Sequence, residues 1–156
     1  MFVDFDKISD KSSLLVFCAD KEIGDNSLIK DLISFIKSWT SHGEDVLGSY
    51  KVFFNQLVIV AFDETNKNIS GCSKDKCFNL FKGFKLNYNL DFFRRDLIFY
   101  IDNDIVKVKE LEVFKKIPLD LRSGFIIINI FIKTKNDISF NFKQNYFDSV
   151  WAKICL

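Results

Sequence analysis

Proline occurs once in this chain of 156 residues, glycine six times and histidine once. So few helix breakers and flexible positions leave little room for linkers or a low-complexity tract. The four cysteines, Cys18, Cys72, Cys77 and Cys155, form no C-x-x-C pair. With one histidine beside them they lack the spacing of a zinc site, so no metal or other cofactor is expected. Isolated thiols fit a reducing, cytoplasmic compartment. A basic excess is also lacking: the net charge is +1. The densest basic group, Lys107, Lys109, Lys115 and Lys116, is interrupted by Glu110 and Glu112. That pattern is a solvated face, and no DNA is expected as a partner. The longest apolar run, Phe125 to Phe131, is broken by Asn129 and is too short to span a bilayer. The opening Met1–Asp6 is acidic, without the apolar stretch of a secretory leader.

What the chain has in plenty is apolar side chains. They make up 48% of it, with 19 phenylalanines, enough for a globular core. The expectation is one α+β domain over residues 1–156. Ser13 to Ala19 reads as a buried strand. Asp25-Asn26-Ser27 supplies cap chemistry for a helix whose apolar residues fall at Leu28, Leu32, Phe35 and Trp39. His42-Gly43 closes that helix, with His42 in its last turn and Gly43 as a left-handed cap. Tyr50–Phe54 and Leu57–Phe62 read as a hairpin, the second strand apolar throughout and therefore central. After Ser73, Cys77, Phe78, Phe81 and Phe84 mark a second helix, and Leu97–Ile101 a further strand. The order strand-helix-strand-strand-helix-strand is that of the ferredoxin-like split βαβ fold, an antiparallel sheet with two helices on one face. Ile105–Val108 pairs back, and Leu111–Ile117 reads as a short helix stopped near Pro118. Phe125–Lys133 with Ile138–Phe142 reads as an added hairpin, and the tail from Tyr146 as a helix.

The segment Ser70-Gly71-Cys72-Ser73-Lys74-Asp75 joins the central strand to the second helix. Small residues let backbone amides converge there, and a helix start favours a thiolate. In the split βαβ topology this loop and the end of the first helix lie at one end. Cys72 is therefore the candidate nucleophile, His42 its base and Asp75 the group that orients His42. Trp39, Ser70, Gly71 and Ser73 are candidate ligand contacts. Lys74 and Lys76, with the loop amides, could hold a small anion. The structural alternatives are a tight turn at Gly71-Cys72 capped by Ser73, a histidine that only meets helix carbonyls, and a core tryptophan. The leading functional expectation is a small binding or regulatory module for a protein or small anion. A thiol-dependent enzyme or redox sensor is the second, and a two-fold homodimer fits either.

Trp39-Thr40-Ser41-His42-Gly43, Phe62-Asp63-Glu64 and Ser70-Gly71-Cys72-Ser73-Lys74-Asp75 carry a resemblance, as do Phe92-Phe93-Arg94 and Glu112-Val113-Phe114. Met1-Phe2-Val3-Asp4-Phe5 and Ser149-Val150-Trp151 extend it to both ends. The chain resembles a family of small proteins from the Bacteroidetes that often carry the label "ABC transporter ATPase". Lys74 stands where that family has isoleucine, and Cys77 where a small residue is usual. The resemblance implies a compartment and an organism group. The label implies a phosphate loop, which needs Gly-Lys-Ser/Thr, and that tripeptide does not occur.

Overall fold

The computed structural model describes residues 1–156 and divides into two compact units, Met1–Arg94 with Lys133–Asn136 and Arg95–Ile132 with Asp137–Leu156. It is a mixed α/β structure with antiparallel sheets and several helices.

The first unit holds β1 (Ser13–Cys18), α1 (Ser27–Ser38), β2 (Thr40–Ser41), β3 (Glu44–Asp45), β4 (Gly48–Phe53), β5 (Leu57–Phe62) and α2 (Gly71–Tyr88). Its main sheet runs β1-β5-β4, with β5 antiparallel to both neighbours. Every residue of β5 is buried, which is why its sequence is apolar without alternation. Val58, Val60 and Phe62 share a face with Phe17, and α1 and α2 pack on it. From α1 come Leu28, Leu32 and Ile36, spaced one helical turn apart, and from α2 come Cys77, Phe81 and Phe84. Burying each of the leucine, isoleucine and phenylalanine side chains contributes roughly 1.5–3 kcal/mol. Phe17 stacks on Phe81 with ring centroids 3.7 Å apart, tying the edge strand to α2.

The fourth strand that the split βαβ pattern needs beside β1 is elsewhere. Leu97–Asp102 is the first strand of the second unit, while the outer edge of β1 meets only Thr134 and Phe93 through isolated bridges. The second unit comprises β6 (Leu97–Asp102), β7 (Ile105–Glu110), α3 (Leu111–Phe114), α4 (Leu119–Arg122), β8 (Ile126–Ile128), the end of α5 (Lys135–Phe140), β9 (Lys143–Asn145) and α6 (Val150–Ile154). Its sheet runs β7-β6-β8-β9. The reason is local. Asn103 and Asp104 both take positive φ, 49° and 64°, and close β6 onto β7 in two residues. Tyr100 and Ile101 pair with Ile127 and Ile126 on the other side, so both edges of β6 are taken within its own unit. Ile98, Tyr100, Phe114, Phe125, Ile127, Tyr146 and Trp151 form the core there.

The expected hairpin of Phe125–Lys133 with Ile138–Phe142 is corrected. Residues up to Phe140 belong to α5, and the strand paired with β8 is Lys143–Asn145. The Asp137 carbonyl accepts from the Asn141 amide at 2.7 Å, and its carboxylate from the Asn141 side chain at 3.2 Å, which holds the helical turn. The expected helix over Leu111–Ile117 stops at Phe114, and Pro118 instead precedes α4. The tail is a 3-10 turn, Tyr146–Asp148, followed by α6.

Burial pushes the thiols of Cys18 and Cys77 up to about 12. The unfolded chain, with thiols near their ordinary pKa of about 8.5, loses these protons first. Unfolding free energy should therefore hold below that value and fall as pH climbs towards 12. Cys77→Ala should flatten the fall in urea titrations taken across this range. An equal alkaline slope in the variant would contradict the assignment.

Candidate functional site

Ser70 starts α2. Its backbone is extended and its Oγ accepts from the Ser73 amide at 3.1 Å. The cap is thus Ser70, where the sequence pointed to Ser73, and the helix begins at Gly71. Cys72 falls in the first turn and is exposed. Ser73, 3% exposed, turns inward and donates its hydroxyl to the Thr40 carbonyl at 2.7 Å. The Trp39 indole N–H donates to the Ser73 carbonyl at 2.9 Å, and the Ser70 amide donates to Ser41 Oγ at 2.9 Å. Three hydrogen bonds therefore lock residues 39–41 to residues 70–73. The Trp39 ring is a core wedge, with Phe35 and Phe62 at centroid distances of 5.1 and 5.7 Å.

His42 is not in a helical turn. α1 ends at Ser38, whose hydroxyl donates back to the carbonyls of Ser34 and Phe35, and Trp39 is extended. His42 and Gly43, at φ 53° and 78°, form the two-residue turn between β2 and β3. Such a turn needs positive φ at both positions, and glycine supplies the second without cost. Gly43 is thus left-handed as expected, but in a hairpin rather than at a helix end. The Val46 amide extends the hairpin to the Trp39 carbonyl at 2.9 Å.

The side chains of His42, Cys72 and Asp75 are all exposed, and no hydrogen bond or ion pair joins them. The fold brings together the two segments that carry them, through Trp39, Thr40, Ser41, Ser70 and Ser73, without assembling a nucleophile-base-orienter chain. Gly71 meets nothing that a Cβ would strike, so it is not a close-approach glycine. Lys74 is engaged with Glu64 at 3.7 Å and lies over the Phe62 ring. Gly43 and Gly48 are five residues apart, as in a phosphate loop, but Ser49-Tyr50 follows and Gly48 serves packing. A Cβ there would sit 3.0 Å from the Ile36 side chain.

Glu64, noted in the sequence only as part of a motif, has a role that sequence reasoning missed. One oxygen accepts from the Ser13 hydroxyl at 2.9 Å and the other from the Ile69 amide at 3.1 Å. Asp63 accepts from the amide and hydroxyl of Thr65 at 2.9 and 2.7 Å. Together they shape the loop between β5 and α2. Two carboxylates directly after an all-apolar central strand were the available signal. Beside this loop is a cavity of about 250 Å³, lined by Ser41, Glu44, Asp45, Asp63, Asn66, Lys67 and Asn68 with Val46, Leu47 and Ile69. Lys67 pairs with Glu44 at 3.3 Å.

Ser73→Ala should cost about 1–2 kcal/mol, because the half-buried Thr40 carbonyl loses its donor. Urea unfolding would show it as a lower midpoint at unchanged slope, and an unchanged midpoint would remove Ser73 from the lock. In native protein, iodoacetamide should modify Cys72 alone, and Cys18, Cys77 and Cys155 only after unfolding. The Cys72 rate should be the same in His42→Ala, and a slower rate would restore His42 as a partner of the thiol. No family model, curated protein or solved structure matches the chain.

Proposed function

We propose that the protein is a small cytoplasmic binding or regulatory module whose ligand enters the cavity between the β2–β3 hairpin and the loop before α2. The observation that carries this is the cavity itself, walled by polar side chains on a frame locked by Trp39, Ser70 and Ser73. Glu44, Asp45 and Asp63 outnumber Lys67 along it, which favours a neutral or cationic polar ligand over the anion expected from Lys74 and Lys76. Asn66 and Asn68 supply amide groups able to donate and accept. Cytoplasmic placement rests on four free thiols and fits a chain in which no helix is long and apolar enough to cross a membrane.

The sheet order β1-β5-β4 with two helices on one face supports reading the first unit as a split βαβ core lacking its fourth strand. Kinship with the Bacteroidetes family belongs to the same proposal, since its two strongest motifs are the partners in the lock. A second reading, thiol chemistry at Cys72, is favoured by one observation: it is the exposed cysteine of the four.

Asn66→Trp should block the cavity without changing stability by more than about 0.5 kcal/mol, because Asn66 is exposed. A thermal-shift screen of amines, amides, sugars and carboxylates should find compounds that raise the midpoint of the native protein and not of the variant. Compounds that stabilise both equally would place binding elsewhere. A screen without any stabilising compound would count against the module.

A further inference from the structure

In the second unit, α4 carries Arg122 into the interior, where it is 7% exposed. Its Nε and Nη1 are enclosed, and no hydrogen-bond acceptor reaches either. The guanidinium carbon lies 5.5 Å from the centroid of the buried Tyr146 ring. Burial raises the Tyr146 phenol pKa, the Arg122 charge lowers it, and the neighbouring buried Cys155 thiol raises it again. A guanidinium, a phenol and a thiol therefore lie together in the apolar core of this unit. Cation-π attraction to Tyr146 offsets part of the cost of enclosing the charge, but it leaves the N–H donors of Nε and Nη1 unused.

Enclosing a charged group without acceptors is strongly unfavourable, and a well-packed apolar side chain of similar volume would avoid that cost. Arginine is also the side chain whose planar donors match the oxygens of carboxylate and phosphoryl groups. We propose that Arg122 is an oxyanion receptor, taking a carboxylate or phosphoryl group onto its guanidinium beside Tyr146. The site is separate in sequence and composition from the acidic cavity of the first unit and does not rest on the function proposed for it.

The test uses the full chain, with inorganic phosphate and acetate as probes and chloride at matched ionic strength as the control. Phosphate or acetate should move the Arg122 Nε–H resonance saturably, and the better of the two identifies the preferred group. Either probe should also raise the thermal midpoint beyond the chloride control. Arg122→Met should fold with at least native stability, since it removes a buried unpaired charge, and should lower apparent affinity for the probe about tenfold or more. A resonance that neither probe moves would overturn the proposal. So would a variant that keeps the stabilisation by the probe. If Arg122→Met does not fold, the resonance in the native chain decides.

Discussion

The first unit depends on how Ser73 disposes of its polar atoms. Its amide is capped by Ser70, its hydroxyl goes to the Thr40 carbonyl and its carbonyl receives the Trp39 indole. A side chain 3% exposed cannot leave these groups to water, so each bond is required once the helix is docked. The consequence spreads in both directions. The start of α2 is fixed against the strand that follows α1, and Trp39 is fixed in rotation while it fills the space between Phe35 and Phe62. Gly48 follows from the same packing, because a Cβ there would press on Ile36 and approach Trp39 at 3.5 Å.

That lock explains why the segments with the most distinctive sequences meet, and it also limits what their meeting means. Trp39, Ser41, Ser70 and Ser73 use their polar atoms on one another, leaving little for a ligand. His42 is exposed at the tip of the hairpin turn, and Cys72 on the outer side of the turn whose inner side carries Ser73. Proximity of segments is thus a property of the fold, and catalysis would need a further bond between the tips. Glu64 behaves similarly. It binds Ser13, Ile69 and Lys74, which makes it the organiser of the loop rather than a free acid.

Much of this was legible in the sequence. The apolar run of β5, the helical spacing of Leu28 and Leu32, and the helical face of Cys77, Phe81 and Phe84 each follow from one periodicity and one burial pattern. The face of α1 drifts from the expected Phe35 and Trp39 to Ile36, because the helix ends at Ser38 and Phe35 is half-buried. What could not be read is where a strand goes when two sheets compete for it. Leu97–Asp102 is apolar on both faces and would suit either; the hairpin to β7 holds one edge, as expected, and β8 takes the edge that β1 would have needed. Ile138–Phe142 failed for the opposite reason. Five residues of alternation are too few to outweigh a carbonyl and a side chain of Asp137 that both hold Asn141 in a helical turn. Gly43 was read as a left-handed stop, correct in conformation and wrong in context, since a helix cap and a hairpin turn ask the same of a glycine; His42, read into the last helical turn, is left-handed too.

The cavity beside the lock has a different division of labour. Its frame is bonded internally: Asp63 to Thr65, Ser41 to Ser70, Lys67 to Glu44. Asn66, Asn68 and Asp45 line the same space from exposed positions. Loops are tolerant of such exposed polar groups, and function concentrates where a rigid frame presents them. The lock therefore serves the site indirectly, by holding the hairpin and the loop at a fixed separation. Specificity in this arrangement would be set by the lining side chains, while the conspicuous tryptophan and serine motifs would set only whether the space exists.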